Sequence, residues 1–152
     1  MSGQTYRIRS NRPDDAADIV EIWRTSVDAT HDFLSSHDRV AIEELVAEFI
    51  PKADLDLLVD EDDTPHAFLK MDGAIIDALF VSGDRLGKGL GSKLMRRALD
   101  HHGAQKLDVN EQNPQAVEFY RRWGFEVTGR SELDDHGRPY PTLRMTLGAS
   151  TS

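Results

Sequence analysis

The residues whose types and spacing suit chemistry are Gly87, Gly89 and Gly91, which alternate with Lys88, Leu90 and Ser92 inside the stretch DALFVSGDRLGKGLGSKL. Without Cβ atoms, these glycines let the backbone bend sharply and bring its N–H groups close to a ligand. The apolar run Ala78 to Val81 ahead of them reads as a buried strand, and Leu90, Leu94 and Ala98 beyond them form one stripe of a helix. A glycine turn leading into a helix presents unpaired N–H groups at the positive end of the helix dipole, which is an anion site. From Arg85 to Leu99 the chain carries Arg85, Lys88, Lys93, Arg96 and Arg97 and no acid. The anion this predicts is a phosphate-bearing ligand.

Spacing excludes two nucleotide loops. A Walker A loop needs four residues between its first glycine and Gly-Lys-Ser/Thr. Here only Asp84, Arg85 and Leu86 separate Gly83 from Gly87-Lys88, and Gly89 follows instead of a hydroxyl. The G-x-G-x-x-G dinucleotide fingerprint fails too, because its third glycine is missing whether the count starts at Gly87 or Gly89. Asp28, His31, Asp32, His37 and Asp38 have the side chains of a metal site, but their spacing matches no ligand pattern, so no metal is predicted.

The elements that must position the loop follow from periodicity. Tyr6, Ile8 and Ser10 alternate as a first strand, and Pro13, Asp14 and Asp15 open a helix whose buried stripe is Ala16, Ile19, Val20, Trp23 and Val27. A second helix buries Ile42, Leu45, Val46, Phe49 and Ile50 and stops at Pro51. Leu55 to Val59 and His66 to Met71 read as strands joined by a polar turn, ahead of the strand Ile75 to Val81. His101-His102-Gly103 closes the glycine-loop helix, and Leu107 and Val109 form the next strand. Pro114 opens a helix carrying Ala116, Val117 and Tyr120, which Gly124 stops; Val127 and Leu143 to Leu147 lie in the last strands.

At 152 residues the chain is expected to form one domain over 1–148, with a disordered tail at 149–152. A net charge of −9 argues against nucleic acid, and no apolar run is long enough to span a membrane. With no cysteine and no signal-like N-terminus, a cytoplasmic location is expected.

With both informative stretches in view, the chain resembles the GNAT superfamily of acetyl-CoA-dependent N-acetyltransferases from about Tyr6 to Leu147. One motif is a strand followed by R/Q-x-x-G-x-G/A and a helix, ending here in Gly89-Leu90-Gly91; the other is Asn113, Ala116, Phe119, Tyr120, Gly124 and Phe125. Leu86 departs from the first motif at its Arg/Gln position, with Arg85 one place earlier. The resemblance implies an α+β fold: a mixed, mostly antiparallel sheet of about seven strands with about four helices, and central parallel strands that splay apart. It implies acetyl-CoA as co-substrate, with pantetheine beside Leu79, Phe80 and Val81, pyrophosphate on Gly87, Lys88, Gly89, Leu90, Gly91 and Ser92, and Asn113 near the thioester.

Tyr120 resembles the family's general acid, its ordinary pKa of about 10 lying near a thiol's of about 8.5. Asp77, near a carboxylate position of the family, and His31, on the connection over the acceptor side, are the alternative bases. The implied activity is transfer of acetyl to a primary amine of a small molecule or peptide, by a monomer or homodimer. A non-catalytic acetyl-CoA sensor is the alternative class.

Overall fold

The computed structural model describes residues 5–30, 34–134 and 137–148. His31 and the tail 149–152 lie outside them. Seven strands, β1 (Arg7–Ser10), β2 (Leu55–Val59), β3 (Pro65–Asp72), β4 (Ile75–Val81), β5 (Lys106–Asn110), β6 (Phe125–Ser131) and β7 (Thr142–Leu147), form one sheet in the order β1-β2-β3-β4-β5-β7-β6. Neighbours run antiparallel except β4 and β5, which are parallel. Among the described residues the helices are α1 (Ala16–Thr30), α2 (Ser36–Phe49), α3 (Leu90–His102) and α4 (Pro114–Arg122), and none is long and apolar enough to cross a membrane.

The sheet is covered on both faces, which is why Leu57, Leu58 and Val59 of β2 and Ala67, Phe68 and Leu69 of β3 are buried in succession rather than alternately. On one face, Leu90, Leu94, Met95, Ala98 and Val117 of α3 and α4 pack on Leu58, Leu69, Ile76, Leu107 and Met145. On the other, Ile19, Ile22, Trp23 and Val27 of α1 and Val46 of α2 pack on Leu55, Leu57, Val59 and Phe68. One expected core residue is not there: Phe49 of α2 is 58% exposed. α2 packs chiefly on α1 and on the turn after itself, so Val46 alone in this helix is buried.

Local chemistry sets the element ends. Ser35 Oγ accepts the Asp38 N–H at 3.1 Å at the start of α2, and α3 stops at Gly103, whose φ of 64° is left-handed. Before α1, Asp15 Oδ2 accepts the Arg12 N–H at 2.7 Å. Arg9 grips the same carboxylate through Nη1 at 2.9 Å and Nη2 at 3.0 Å, and donates from Nε to Asp63 at 2.8 Å. The hydrogen bond from Arg9 holds the Asp15 carboxyl below the usual carboxylate range. This largely buried network ties β1 to the β2–β3 turn.

The feature that makes a site is the parting of β4 and β5. They pair only through Ile75 opposite Lys106 and Ile76 opposite Leu107, although β4 runs on to Val81 and β5 to Asn110. The register of β4 on β3 shifts here: Lys70 faces Ala78 while Met71 faces Ile76, which leaves Asp77 as the extra residue. Such a bulge bends its strand and increases the twist. It also resets the alternation, so that Ile76, Leu79 and Val81 face α3 and α4 while Ala78 and Phe80 face α1 and α2.

Candidate active site

The splay opens a cleft of about 410 Å³ whose walls come from both helical layers. Leu79, Phe80 and Val81 of β4, Ser26 and Thr30 of α1, and Asn113, Ala116, Phe119 and Tyr120 at α4 line it. Gly87, Gly89, Leu90, Gly91 and Ser92 close one end.

At the glycine end the backbone takes conformations that favour glycine: φ is 75° at Gly87 and 84° at Gly89. None of the amides from Gly87 to Ser92 donates to an acceptor among the described residues, and the helix ladder begins only with Lys93 N–H to Gly89 O at 3.2 Å. Unpaired donors at a helix start beside the cleft are what an anion cradle requires. A Cβ on Gly91 would stand 3.5 Å from Phe119 and 3.7 Å from Val81, so a larger side chain there would reach the cleft wall. Upstream, Gly83 is pressed onto α1: its N–H donates to Thr25 Oγ1 at 3.0 Å.

Tyr120, 8% exposed, also lines the cleft. Phe119 and Phe125 meet its ring edge-on, with centroids 5.3 and 6.2 Å away. Its hydroxyl has no hydrogen-bond partner among the described residues, and burial pushes the phenol up to about 12. The sequence-based expectation of an ordinary phenol is thereby corrected: Tyr120 is a neutral donor throughout the physiological range and a weaker acid than its residue type implies. Asn113 is buried and lines the cleft while capping α4, its Oδ1 accepting the Ala116 N–H at 3.3 Å.

The structure thus gathers Leu79, Phe80, Val81, Gly87, Gly89, Leu90, Gly91, Ser92, Asn113 and Tyr120 around one cleft. It does not bring Lys88 or Asp77 into the lining. Lys88 is exposed. Asp77 sits on the bulge with its carboxylate bonded to Lys70 Nζ and its side chain 47% exposed. The basic stretch is divided between two places: Arg85 lines the cleft and donates to Tyr6, whereas Lys93, Arg96 and Arg97 lie together along the outer side of α3, Arg96 over Trp123 and Arg97 paired with Asp56.

Ser26 and Thr30 escaped the sequence reading because hydroxyls four apart on a helix carry no local signal. Phe119 was legible from its place in the second motif. Tyr140 is a latch between the late loop and α2: its hydroxyl donates to Asp38 and accepts the Ser35 N–H at 3.2 Å. That hydrogen bond is the main reason the Asp38 carboxyl lies below the usual range.

A larger groove of about 700 Å³ runs along the outer side of α3, past Ile8, Lys93, Arg97 and His101. It shares Gly89 and Ser92 with the cleft but has neither an open strand edge nor Tyr120, so the smaller cleft is the candidate site.

Comparison with known proteins agrees with this geometry. Residues 32–147 match the family model of the acetyltransferase (GNAT) domain. The peptidyl-lysine N-acetyltransferase YjaB of Salmonella typhimurium is 48% identical over 138 residues, covering 91% of this chain and 95% of that protein. The solution structure of apo-form YjaB from Escherichia coli superposes with a TM-score of 0.89 at 46% identity, covering 93% of this chain and 97% of that one. YncA of Salmonella typhimurium, a putative acetyltransferase solved with its cofactor acetyl-CoA, shares the fold at a TM-score of 0.63 and 20% identity, over 94% of this chain and 93% of that one. A family model over most of the chain and a relative this similar along nearly its whole length identify it: the chain belongs to the GNAT family of N-acetyltransferases.

Proposed function

We propose that this acetyltransferase takes acetyl from acetyl-CoA and transfers it to the side-chain amine of a lysine in a polypeptide. The observation that carries the donor half is the cleft itself, lined by a glycine loop with unaccepted amides, an unpaired strand edge and a buried phenol. The acceptor half is supported by the 48% identity to the YjaB proteins, named as peptidyl-lysine N-acetyltransferases. The net charge of −9 also favours a cationic acceptor.

The residues present fit the donor. The amides of Gly87 to Ser92 hold a diphosphate, and the edge of β4 beyond Ile76, which has no strand partner, pairs with pantetheine amides as an added strand does. When bound, acetyl-CoA supplies a thioester whose C–S bond breaks as the C–N bond to the amine forms. N–H groups on the free edge of β4 stabilise the charge that develops on the carbonyl oxygen. Asn113 fixes the start of α4 and with it the place of Tyr120, whose hydroxyl donates to the leaving sulfur.

A lysine ammonium must lose a proton before it attacks, since its ordinary pKa is about 10.4. Asp77 is the acceptor we assign. Because it lies outside the cleft lining, it acts through intervening water. Asp77→Asn is then expected to lower kcat/KM for the amine by roughly 10²-fold while acetyl-CoA affinity stays near wild type. If turnover is unchanged, Asp77 is not the base, and His31→Ala measured in parallel becomes the deciding variant.

Incubating the protein with acetyl-CoA and either lysine-containing peptides or pooled small amines tests the whole reading. Acetylated peptide accompanied by stoichiometric thiol release is expected; acetylated small amines alone would sink the peptide acceptor. Titration with acetyl-CoA should raise the unfolding midpoint continuously, ligand at a hundredfold excess over Kd adding about 2.7 kcal/mol. A midpoint that does not move at saturating acetyl-CoA would rule out the donor.

A further inference from the structure

The cations that line the cleft are Arg85 and Arg122. Arg122 is exposed at the end of α4, whereas Arg85 is half-buried in the short 3-10 turn Gly83–Arg85, directly ahead of the glycine loop. The position of Arg85 is set from far away in sequence. Its Nη1 donates to Tyr6 Oη at 2.7 Å, across 79 residues. Tyr6 stands immediately before β1, packs against the core under α3, and meets His66 edge-on with centroids 6.3 Å apart. His66 is itself bonded to Asp60 at 2.7 Å. Below Tyr6, the Arg9 network fixes β1 to the β2–β3 turn. The guanidinium is therefore carried on a loop but aimed by the edge of the sheet.

Such an arrangement answers an electrostatic need. Amides from Gly87 to Ser92 offer hydrogen bonds without net charge, and a chain of net charge −9 repels a multiply charged anion. Leu86, next in sequence, is 39% exposed and has nothing to donate. A guanidinium carries five N–H donors in a rigid fork, so a bond to a phenol oxygen is compatible with a bond to phosphate oxygens.

We propose that Arg85, held in place by Tyr6, supplies the fixed positive charge that binds the diphosphate of the acetyl donor beside the glycine loop. This rests on the acetyl-CoA reading above and names the side chain responsible for anion affinity. Arg85 is a binding residue and Tyr6 a positioning residue that acts through it.

The test is calorimetric titration with coenzyme A at low and high salt, with the unfolding midpoint of each variant as a control. Arg85→Gln keeps a donor for Tyr6 but removes the charge. It should weaken binding at low salt by roughly 10- to 100-fold and flatten the salt dependence, as loss of a charge-assisted contact does. Arg85→Lys retains the charge and should keep the salt dependence with a smaller loss. Tyr6→Phe preserves the packing and should weaken binding a few-fold, with the midpoint little changed. Wild-type affinity and wild-type salt dependence in Arg85→Gln would overturn the proposal while leaving acetyl-CoA as donor. A wild-type protein that binds no coenzyme A would overturn both, an outcome read from the wild type alone.

Discussion

Replacing Tyr120 with phenylalanine should lower kcat by roughly 10²- to 10³-fold while leaving coenzyme A affinity within about twofold of wild type. The substitution removes one oxygen and keeps the ring, so the edge-on packing with Phe119 and Phe125 survives. What is lost is the donor to the leaving sulfur, a contact made only as the C–S bond breaks. Loss of such an interaction falls on kcat rather than on binding. Burial adds a second, independent readout. With the phenol pushed up to about 12, it stays protonated well above neutrality. The sign is therefore that the kcat profile shows no descending limb from Tyr120 below about pH 10, the ordinary tyrosine pKa. Burial makes full proton transfer from the phenol to the leaving thiolate uphill, so on the proposed mechanism Tyr120 is expected to act by donating a hydrogen bond as charge develops. Unchanged turnover in Tyr120→Phe would remove the residue from the mechanism. A steep loss of kcat between neutrality and pH 9 would show that the phenol is less buried in the working complex.

The largest expected effect on stability comes from a residue with no part in the chemistry. An alanine Cβ at Gly83 would lie 2.5 Å from the backbone oxygen of Thr25 and 3.0 Å from its carbonyl carbon. Neither atom is the end of a flexible side chain, so α1 and the loop must separate. Overpacking of this kind costs about 1–3 kcal/mol. For a chain of this size, each kcal/mol corresponds to roughly 2–4 °C, so Gly83→Ala should lower the unfolding midpoint by about 2–12 °C. The N–H bond from Gly83 to Thr25 Oγ1 weakens with the same movement, and the glycine loop that follows shifts relative to Ser26 and Thr30 on α1. Coenzyme A affinity should therefore fall along with stability. A midpoint within 1 °C of wild type by calorimetry would show that the loop can yield without cost.

Much of this molecule was legible before any coordinates. The strand Ile75 to Val81, the helix from Leu90 to Gly103 and the Asn113-Pro114 start of α4 all appear where periodicity and capping residues put them. Local signals of this kind suffice because backbone restrictions and the spacing of apolar side chains act over a few residues. The two motifs also sufficed to place the glycine turn and Tyr120 in one family pattern, and the family is now identified. Where local signals misled, packing was the reason. Phe49 fits the stripe of an amphipathic helix, yet α2 sits against α1 with little of its surface covered, and the ring is exposed.

The sequence by itself determined the kind of site: a glycine turn at a helix start, a strand leading into it and a phenol on a later helix. Tertiary structure decided how that site is built. Asp77 becomes the bulged residue through the register of β4 on β3, which no stretch of β4 alone specifies. The cleft exists because β4 and β5 stop pairing after Ile76 and Leu107. Tyr120 becomes a weak acid through the walls around it, and Arg85 gains its aim from Tyr6, far away in the chain. Pairing register, desolvation and long-range hydrogen bonds are properties of neighbours in space, and neighbours in space are what folding adds to a sequence.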